Sequence, residues 1–250
     1  MNAHDRFVAL HQPGTPLLLY NIWDAGSAQA VARAGARAIA TGSMSVAGAH
    51  GYEDGEALPL EDLLATVREI VRAVDLPVTV DFEGGYARDP QALAQNARLL
   101  AETGALGCNF EDRIVAGDGL YPLDEQADRI AAVASSGLFV NARTDLFLAR
   151  LMAGENPDDP ALVELAIERG ARFAQAGAKG FFVPGLADAD LIGEICREVT
   201  LPVNVMMREG VPPVAELAGL GVARVSWGPG PWRDAQARLE QVARAALATG

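Results

Sequence analysis

The sequence predicts a (β/α)8 barrel, an α/β fold of eight parallel strands, and three observations carry that prediction. Eight short apolar, β-rich runs alternate with longer stretches whose apolar residues recur near i, i+3 and i+4. Glycines or Leu-Pro pairs mark returns from a helical stretch to the next strand. The polar residues of the runs collect at their C-terminal ends, where barrels of this kind carry their chemistry. A doubly wound open sheet is the alternative, because propensity alone does not close a sheet.

In chain order, the strand candidates begin with Leu17–Trp23 and Ala38–Ser43, the second entered through the Ala34-Gly35-Ala36 cap. The amphipathic stretch Leu60–Val74 stops before Leu76-Pro77, which opens Val78–Glu83. Pro90–Thr103 is helical in pattern, and Thr103-Gly104-Ala105 leads into Gly107–Asp112. Leu123–Ala134 precedes Leu138–Asp145, and Pro160–Ala176 precedes Gly180–Pro184 through Ala176-Gly177-Ala178. Leu201-Pro202 opens Val203–Met206, and Leu220-Gly221-Val222 opens Ala223–Trp227. Gly228-Pro229-Gly230-Pro231 can redirect the chain into a last helical pattern, Pro231–Leu247, with Leu239, Val242 and Ala246 on one side. No composition break divides the chain, so residues 1–250 are read as a single barrel domain.

With 33 acidic against 20 basic side chains the net charge is -13, which argues against nucleic acid, polyphosphate or an anionic membrane as partner. A small anionic substrate needs only a local cluster of cation, arginine and amide dipoles. No run of eighteen apolar residues is present, and Met1 to Gln12 lacks a signal peptide's basic start and apolar block, so a cytoplasmic protein is expected. Cys108 and Cys196 are too few for a disulfide framework and are not spaced as a zinc site; reduced core thiols are expected. His4, His11 and His50 assemble no metal site or catalytic dyad.

Asp81-Phe82-Glu83-Gly84-Gly85-Tyr86 is the most informative stretch. Residues two apart on a strand share a face, so Asp81 and Glu83 project together beside two glycines that admit backbone or ligand closely, an arrangement that can hold a hard cation. The alternative is two solvated carboxylates at a strand end. Trp23-Asp24, Gly42-Ser43-Met44, Asn109, Glu111-Asp112, Asn141, Arg143, Asp145 and Asn204 stand at or near the same ends of other strands, so they converge on one mouth. The planar guanidinium of Arg143 suits bidentate carboxylate recognition; an internal ion pair with Asp145 or Glu111 is the other reading. Alternation turns Cys108 away from Asn109 and Glu111, towards the helices.

Taken in order, Asn21-Ile22-Trp23-Asp24-Ala25-Gly26-Ser27-Ala28, Thr41-Gly42-Ser43, Gly51-Tyr52-Glu53-Asp54, Asp81-Phe82-Glu83-Gly84-Gly85-Tyr86, Asn109-Phe110-Glu111-Asp112 and Asn141-Ala142-Arg143-Thr144-Asp145 resemble the isocitrate lyase/phosphoenolpyruvate mutase superfamily, from about residue 17 to about residue 229. The resemblance implies a barrel, a Mg²⁺ (or Mn²⁺) ion and a 2-oxo or 2-hydroxy acid that passes through an enolate-like state. It implies that Glu83, in place of the family's aspartate, touches the metal most directly, while Asp81, Glu111 and Asp54 hold its waters. It further implies that Arg143 binds the substrate carboxylate or phosphonate, that the Ser43 and Met44 backbone receives the 2-oxo acid, and that Trp23 packs against it unless it is only core. Family members exchange the last helix between subunits, so residues 231–247 are expected to be swapped in a homo-oligomer, a dimer or tetramer.

Two departures qualify the reaction. The lyases of the superfamily carry a Lys-Lys/Arg-Cys-Gly-His loop after strand four and the phosphonate mutases a Lys-Thr-Asn-Ser loop, whereas this chain reads Arg113-Ile114-Val115-Ala116-Gly117-Asp118-Gly119-Leu120-Tyr121. Asp118 is then the candidate for proton transfer, its alternative being a solvated turn residue. Of the lyases' polar Asn-x-Thr-Glu only Asn204 is retained, as a substrate contact, and Met206-Met207 follows. The expected activity is a Mg²⁺-dependent carbon–carbon lyase of the isocitrate or 2-methylisocitrate type, with weak turnover. The alternatives are a phosphonate P–C mutase or hydrolase, an oxaloacetate hydrolase or decarboxylase, and a non-catalytic 2-oxo acid binder.

Overall fold

A computed structural model describes residues 2–248; positions 1, 249 and 250 of the expected domain lie outside the described residues. The elements are α1 (Ala3–Val8), β1 (Leu17–Leu19), α2 (Ala25–Arg33), β2 (Ile39–Ala40), α3 (Ser43–Ala49), α4 (Leu60–Ala73), β3 (Val78–Asp81), α5 (Pro90–Glu102), β4 (Gly107–Glu111), α6 (Leu123–Ala134), β5 (Phe139–Arg143), α7 (Leu146–Met152), α8 (Pro160–Gln175), β6 (Gly180–Phe182), α9 (Ala189–Glu198), β7 (Val203–Met206), α10 (Val214–Gly219), β8 (Arg224–Ser226) and α11 (Gly230–Leu247). The strands pair in parallel in the order β1-β8-β7-β6-β5-β4-β3-β2. The open-sheet alternative fails at the remaining seam. There Ile22 bridges Thr41, with Ile22 N–H donating to Ala40 O at 2.9 Å and Gly42 N–H to Ile22 O at 3.2 Å. The fold is a (β/α)8 barrel.

Asn21 ties that seam at the mouth. Its Nδ2 donates to Thr41 O at 2.8 Å, and its Oδ1 accepts from the N–H groups of Trp227 and Gly228, both at 2.9 Å. One amide thereby holds the ends of the first, second and last strand segments together. The regular strands stop short of the sequence expectation, the first three ending at Leu19, Ala40 and Asp81.

Apart from β1, whose outer face is open at Leu18, the strands are buried on both faces, as is usual in parallel sheets. Their outward residues, Val80, Cys108, Phe110, Val140 and Val205 among them, pack with the surrounding helices into the main core. Cys108 is fully buried in it and its thiol is pushed up to about 12 by that burial, as a core thiol should be. Inside the barrel the filling is layered. Phe7 of α1 plugs the lower end against Leu17, Leu19, Ala38, Ala40 and Phe139. Above that plug lies a polar layer: Asn141 Nδ2 donates to Asn109 Oδ1 (2.9 Å) and Asn204 Oδ1 (3.0 Å), and Arg224 Nη2 donates to Asn109 Oδ1 (3.0 Å).

The last helix behaves differently from the others. Of its described residues only Pro231 is buried, while Leu239, Val242 and Leu247 stand exposed. Its first turn is anchored, since Trp232 meets Trp23 edge-on at 5.0 Å and covers Gly48, where a Cβ would lie 3.2 Å from the indole. On the outer face of β1, Leu18 and Tyr20 are also exposed. Among the described residues no helix is long and apolar enough to cross a membrane.

His11 reports on the lower plug. It stacks on Phe139 at 4.2 Å, donates from Nδ1 to Phe7 O at 3.0 Å and is lowered to about 3 by burial and then by the Arg224 charge. The folded state therefore refuses a proton that the unfolded chain takes up below about pH 6.5, so this stability is complete above pH 6.5 and declines as the pH falls towards 3. Relative to wild type, His11→Phe should gain about 2 kcal/mol of folding stability between pH 7.5 and pH 5. Denaturant titrations at the two pH values measure the gain, and an unchanged difference would contradict the assignment.

Candidate active site

The turn after β3 is bent by sequence and held by its neighbours. Glu83 and Tyr86 have φ of 50° and 60°, in the left-handed region that costs a non-glycine residue energy. Gly85 cannot be replaced cheaply: at φ 81° a Cβ would stand 2.6 Å from Leu93. Arg129 of α6, 2% exposed, donates to the carbonyls of Gly84 (2.8 Å), Ala87 and Arg88 (both 3.1 Å), and its guanidinium lies 3.9 Å over the Tyr121 ring. From the other side, Glu56 N–H donates to Glu83 Oε2 at 2.9 Å, and Tyr86 N–H donates to Glu56 Oε1 at 2.8 Å. This reciprocal clamp aims Glu83 beside the mouth. The sequence reading missed Arg129 and Glu56, because their partners are backbone groups that leave no side-chain pattern.

Arg143 realises both of its readings at once. Its Nε and Nη2 donate to the two oxygens of Asp145 at 2.5 and 2.9 Å, and its Nη1 lies 3.1 Å from Glu111 Oε2. Burial works against the guanidinium charge, but Asp145 and Glu111 outweigh it and hold it firmly protonated. Glu111 is pushed well above the usual carboxylate range by burial, against the pull of Arg143. Asp112, which faces away, accepts from Asp145 N–H at 2.9 Å and from Arg169 at 3.1 Å; burial takes it up to about 6. It is a brace for the strand ends.

A cavity of about 450 Å³ opens at the C-terminal mouth, and Ser43, Met44, Asp54, Asp81, Asn109 and Arg143 line its charged side, with Asn21 at the seam. Ser43, expected at the end of the strand candidate Ala38–Ser43, opens α3 instead, and its N–H donates to Asp81 Oδ2 at 3.2 Å. Asp81 is also reached by Asn109 Nδ2 at 3.5 Å, and its own N–H donates to Thr41 Oγ1 at 2.9 Å. Behind this wall Glu83 is 7% and Glu111 4% exposed. Burial, followed by the charges of Asp54 and Asp81, drives Glu83 up to about 8.

Among the described residues no group of three carboxylates, histidines or cysteines is placed to hold a metal ion directly. The donor chemistry nonetheless fits a hard divalent cation carried largely on its own waters, as Mg²⁺ is. Asp54 and Asp81 face the cavity, and the charge that Glu83 cannot carry alone is the charge a cation would balance. Those residues would hold it.

Three expected contacts lie elsewhere. Trp23 packs on Trp232 and the core and does not line the cavity; Asp24 caps α2 through Ser27. Asn204 is wholly buried in the polar layer, donating to Val205 O at 2.9 Å and accepting from Asn141. Asp118 sits exposed at the tip of a loop closed by the Arg113–Leu120 bridge.

The chain matches the phosphoenolpyruvate phosphomutase family over residues 7–247. A crystal structure from Burkholderia cenocepacia J2315 superposes with a TM-score of 0.91 at 44% identity, covering 97% of this chain and 99% of that one. The 2-methylisocitrate lyase of Escherichia coli K12 is 26% identical over 88% of this chain and 78% of its own length. Phosphonopyruvate hydrolase, solved with oxalate and Mg²⁺, shares the fold at a TM-score of 0.85 and 20% identity, over 100% of this chain and 89% of that one. Enzymes of several chemistries, lyase, mutase and hydrolase, are thus built on this barrel. With the strand-end motifs and the carboxylate-lined mouth in place, the match over nearly the whole length makes the chain a member of the phosphoenolpyruvate phosphomutase family, within the isocitrate lyase/phosphoenolpyruvate mutase superfamily.

Proposed function

We propose that the protein is a Mg²⁺- or Mn²⁺-dependent enzyme that carries a small 2-oxo or 2-hydroxy acid through an enolate-like state, as a carbon–carbon lyase. One observation carries this reading: Asp54, Asp81, the Arg143 guanidinium and the backbone at Ser43 and Met44 face a single cavity. The oxalate and Mg²⁺ bound together in phosphonopyruvate hydrolase support it. When bound, the cation supplies Lewis-acid stabilisation of negative charge on the acid's oxygens. Arg143 takes the substrate carboxylate while Glu111 and Asp145 fix its plane, and Asp81 and Asp54 fix the cation's waters. The Ser43 N–H, now on a long bond to Asp81, is free to turn to an oxyanion developing on the 2-oxygen, with the Met44 N–H beside it.

A second reading has its own observation. Among the described residues no cysteine or histidine lines the cavity, and Asp118 lies off it. A phosphonate mutase moves its phosphoryl group without protonating a carbanion, so it needs no such acid. Oxaloacetate or phosphonopyruvate hydrolysis, and binding without turnover, use the same platform. A panel of isocitrate, 2-methylisocitrate, oxaloacetate and phosphonopyruvate, with and without Mg²⁺, separates them. For the lyase, rates should fall roughly 10²–10⁴ below those of an enzyme with a positioned acid.

We also propose that α11 is exchanged with a second copy of the chain, where Leu239 and Val242 are covered, giving a closed dimer or tetramer.

Three outcomes are expected. In calorimetry oxalate should bind with Mn²⁺ present and not in chelator, and Glu83→Ala should weaken that binding at least tenfold; undiminished binding in chelator would overturn the site. Arg143→Ala should weaken oxalate by about 1.5–3 kcal/mol, one charge-assisted bond, and lower the thermal midpoint because Glu111 and Asp145 lose their buried partner. Arg143→Lys should recover part of both. Light scattering should give a dimer or tetramer that Val242→Glu shifts to smaller species, whereas a monomer at every concentration would refute the exchange.

A further inference from the structure

The mouth has two unlike halves. Opposite the charged wall, Phe182 of β6 and Met206 of β7 point into the cavity, and Leu148 and Leu151 of α7 close over them. These are the strand ends from which a polar far wall would have to come. That wall is firmly built. Gly185, at φ 98°, lets the loop after β6 lie directly on the α7 backbone, where a Cβ would stand 2.7 Å from Leu148 N. Met206 is seated against Gly228, where a Cβ would meet its sulfur at 2.5 Å.

Arg208, which also lines the cavity on this side, is tied back to backbone carbonyls. Arg208 donates from Nε and Nη2 to Gly185 O, at 3.0 and 2.6 Å, and from Nη1 to Glu209 O at 2.8 Å, binding the two loops behind the wall. Asn204, the polar residue of β7, is turned down into the barrel. The cavity of about 450 Å³ is also far larger than a two- or three-carbon acid fills.

We propose that this site takes 2-oxo or 2-hydroxy acids bearing an apolar substituent, a branched alkyl or aryl group on the carbon chain, with Phe182, Met206, Leu148 and Leu151 as the residues that select it. The inference rests on the reading of the charged half as the acid's binding site. Arg113, Arg208 and Arg233, which line the cavity, have no carboxylate partner among the described residues and offer the rival destination, a second anionic group.

Calorimetry on the full chain at saturating Mn²⁺ decides the matter with oxalate, pyruvate, 4-methyl-2-oxopentanoate, phenylpyruvate and 2-oxoglutarate. Each buried methylene is worth about fourfold in affinity, so 4-methyl-2-oxopentanoate or phenylpyruvate should bind at least tenfold tighter than pyruvate and than 2-oxoglutarate. Leu148→Asn should cut the ratio of 4-methyl-2-oxopentanoate to pyruvate affinity at least fivefold. If oxalate and pyruvate bind but the apolar acids gain nothing, or 2-oxoglutarate binds tightest, this inference falls while the site reading stands. If no acid binds, oxalate included, the site reading itself falls.

Discussion

Glu111 and Asp145 pair with the guanidinium of Arg143, while Asp81 and Glu83 stand beside them without a cation of their own and Asp54 lies at the open rim, and this imbalance of charge governs the upper half of the barrel. Carboxylates leave water at a large cost unless paired or ligated. Arg143 neutralises the Glu111 and Asp145 side, where the distances are short. The hydrogen bonds to the Asp81 and Glu83 carboxylates come from neutral amide N–H groups, those of Ser43, Asn109 and Glu56. A fold that merely had to be stable would gain from removing these acids. Their retention beside a left-handed Glu83, held by Arg129 from behind, means that backbone strain and desolvation are concentrated on the side where positive charge is lacking.

The rest of the architecture serves to keep that arrangement still. The Asn21 amide closes the barrel where its hydrogen-bond ladder is thinnest, just beyond the ends of the regular strands. Below, Asn109 is fixed in orientation: its Oδ1 accepts from both Arg224 and Asn141, so its Nδ2 is left to face Asp81. The polar layer thus passes a defined amide dipole up to the mouth. Apolar packing lies mostly between the strands and the helices; inside the barrel the Phe7 plug is apolar at the lower end, and Phe182 and Met206 are apolar at the mouth.

The eight strands and the long helices were legible because a parallel sheet buried on both faces writes itself as apolar runs, and glycine or proline marks its entries. Asp81, Glu83, Glu111 and Arg143 were legible as residues at strand ends, whereas Asp54, between α3 and α4, entered only through the resemblance. The short helices α3 and α7 were not, since one or two turns carry too little periodicity, and α7 turned out to supply half of the apolar wall. Asn204 shows a limit of alternation: it points inward, but one step too low to meet the cavity. Trp23 was drawn off by Trp232, a contact across two hundred residues that no local pattern announces. Arg129 and Glu56 were invisible because they act on carbonyls and amides.

Gly185 has a consequence for how such a protein changes over time. Because the loop after β6 meets α7 backbone to backbone, the seat of that helix does not depend on which side chains it carries towards the mouth. Leu148 and Leu151 can therefore be exchanged without shifting the strands that hold Asp81 and Arg143. The barrel is thereby divided into a half held by ion pairs and a left-handed turn and a half whose shape is set by a few side chains, so the outline of the cavity can drift through changes on one short helix.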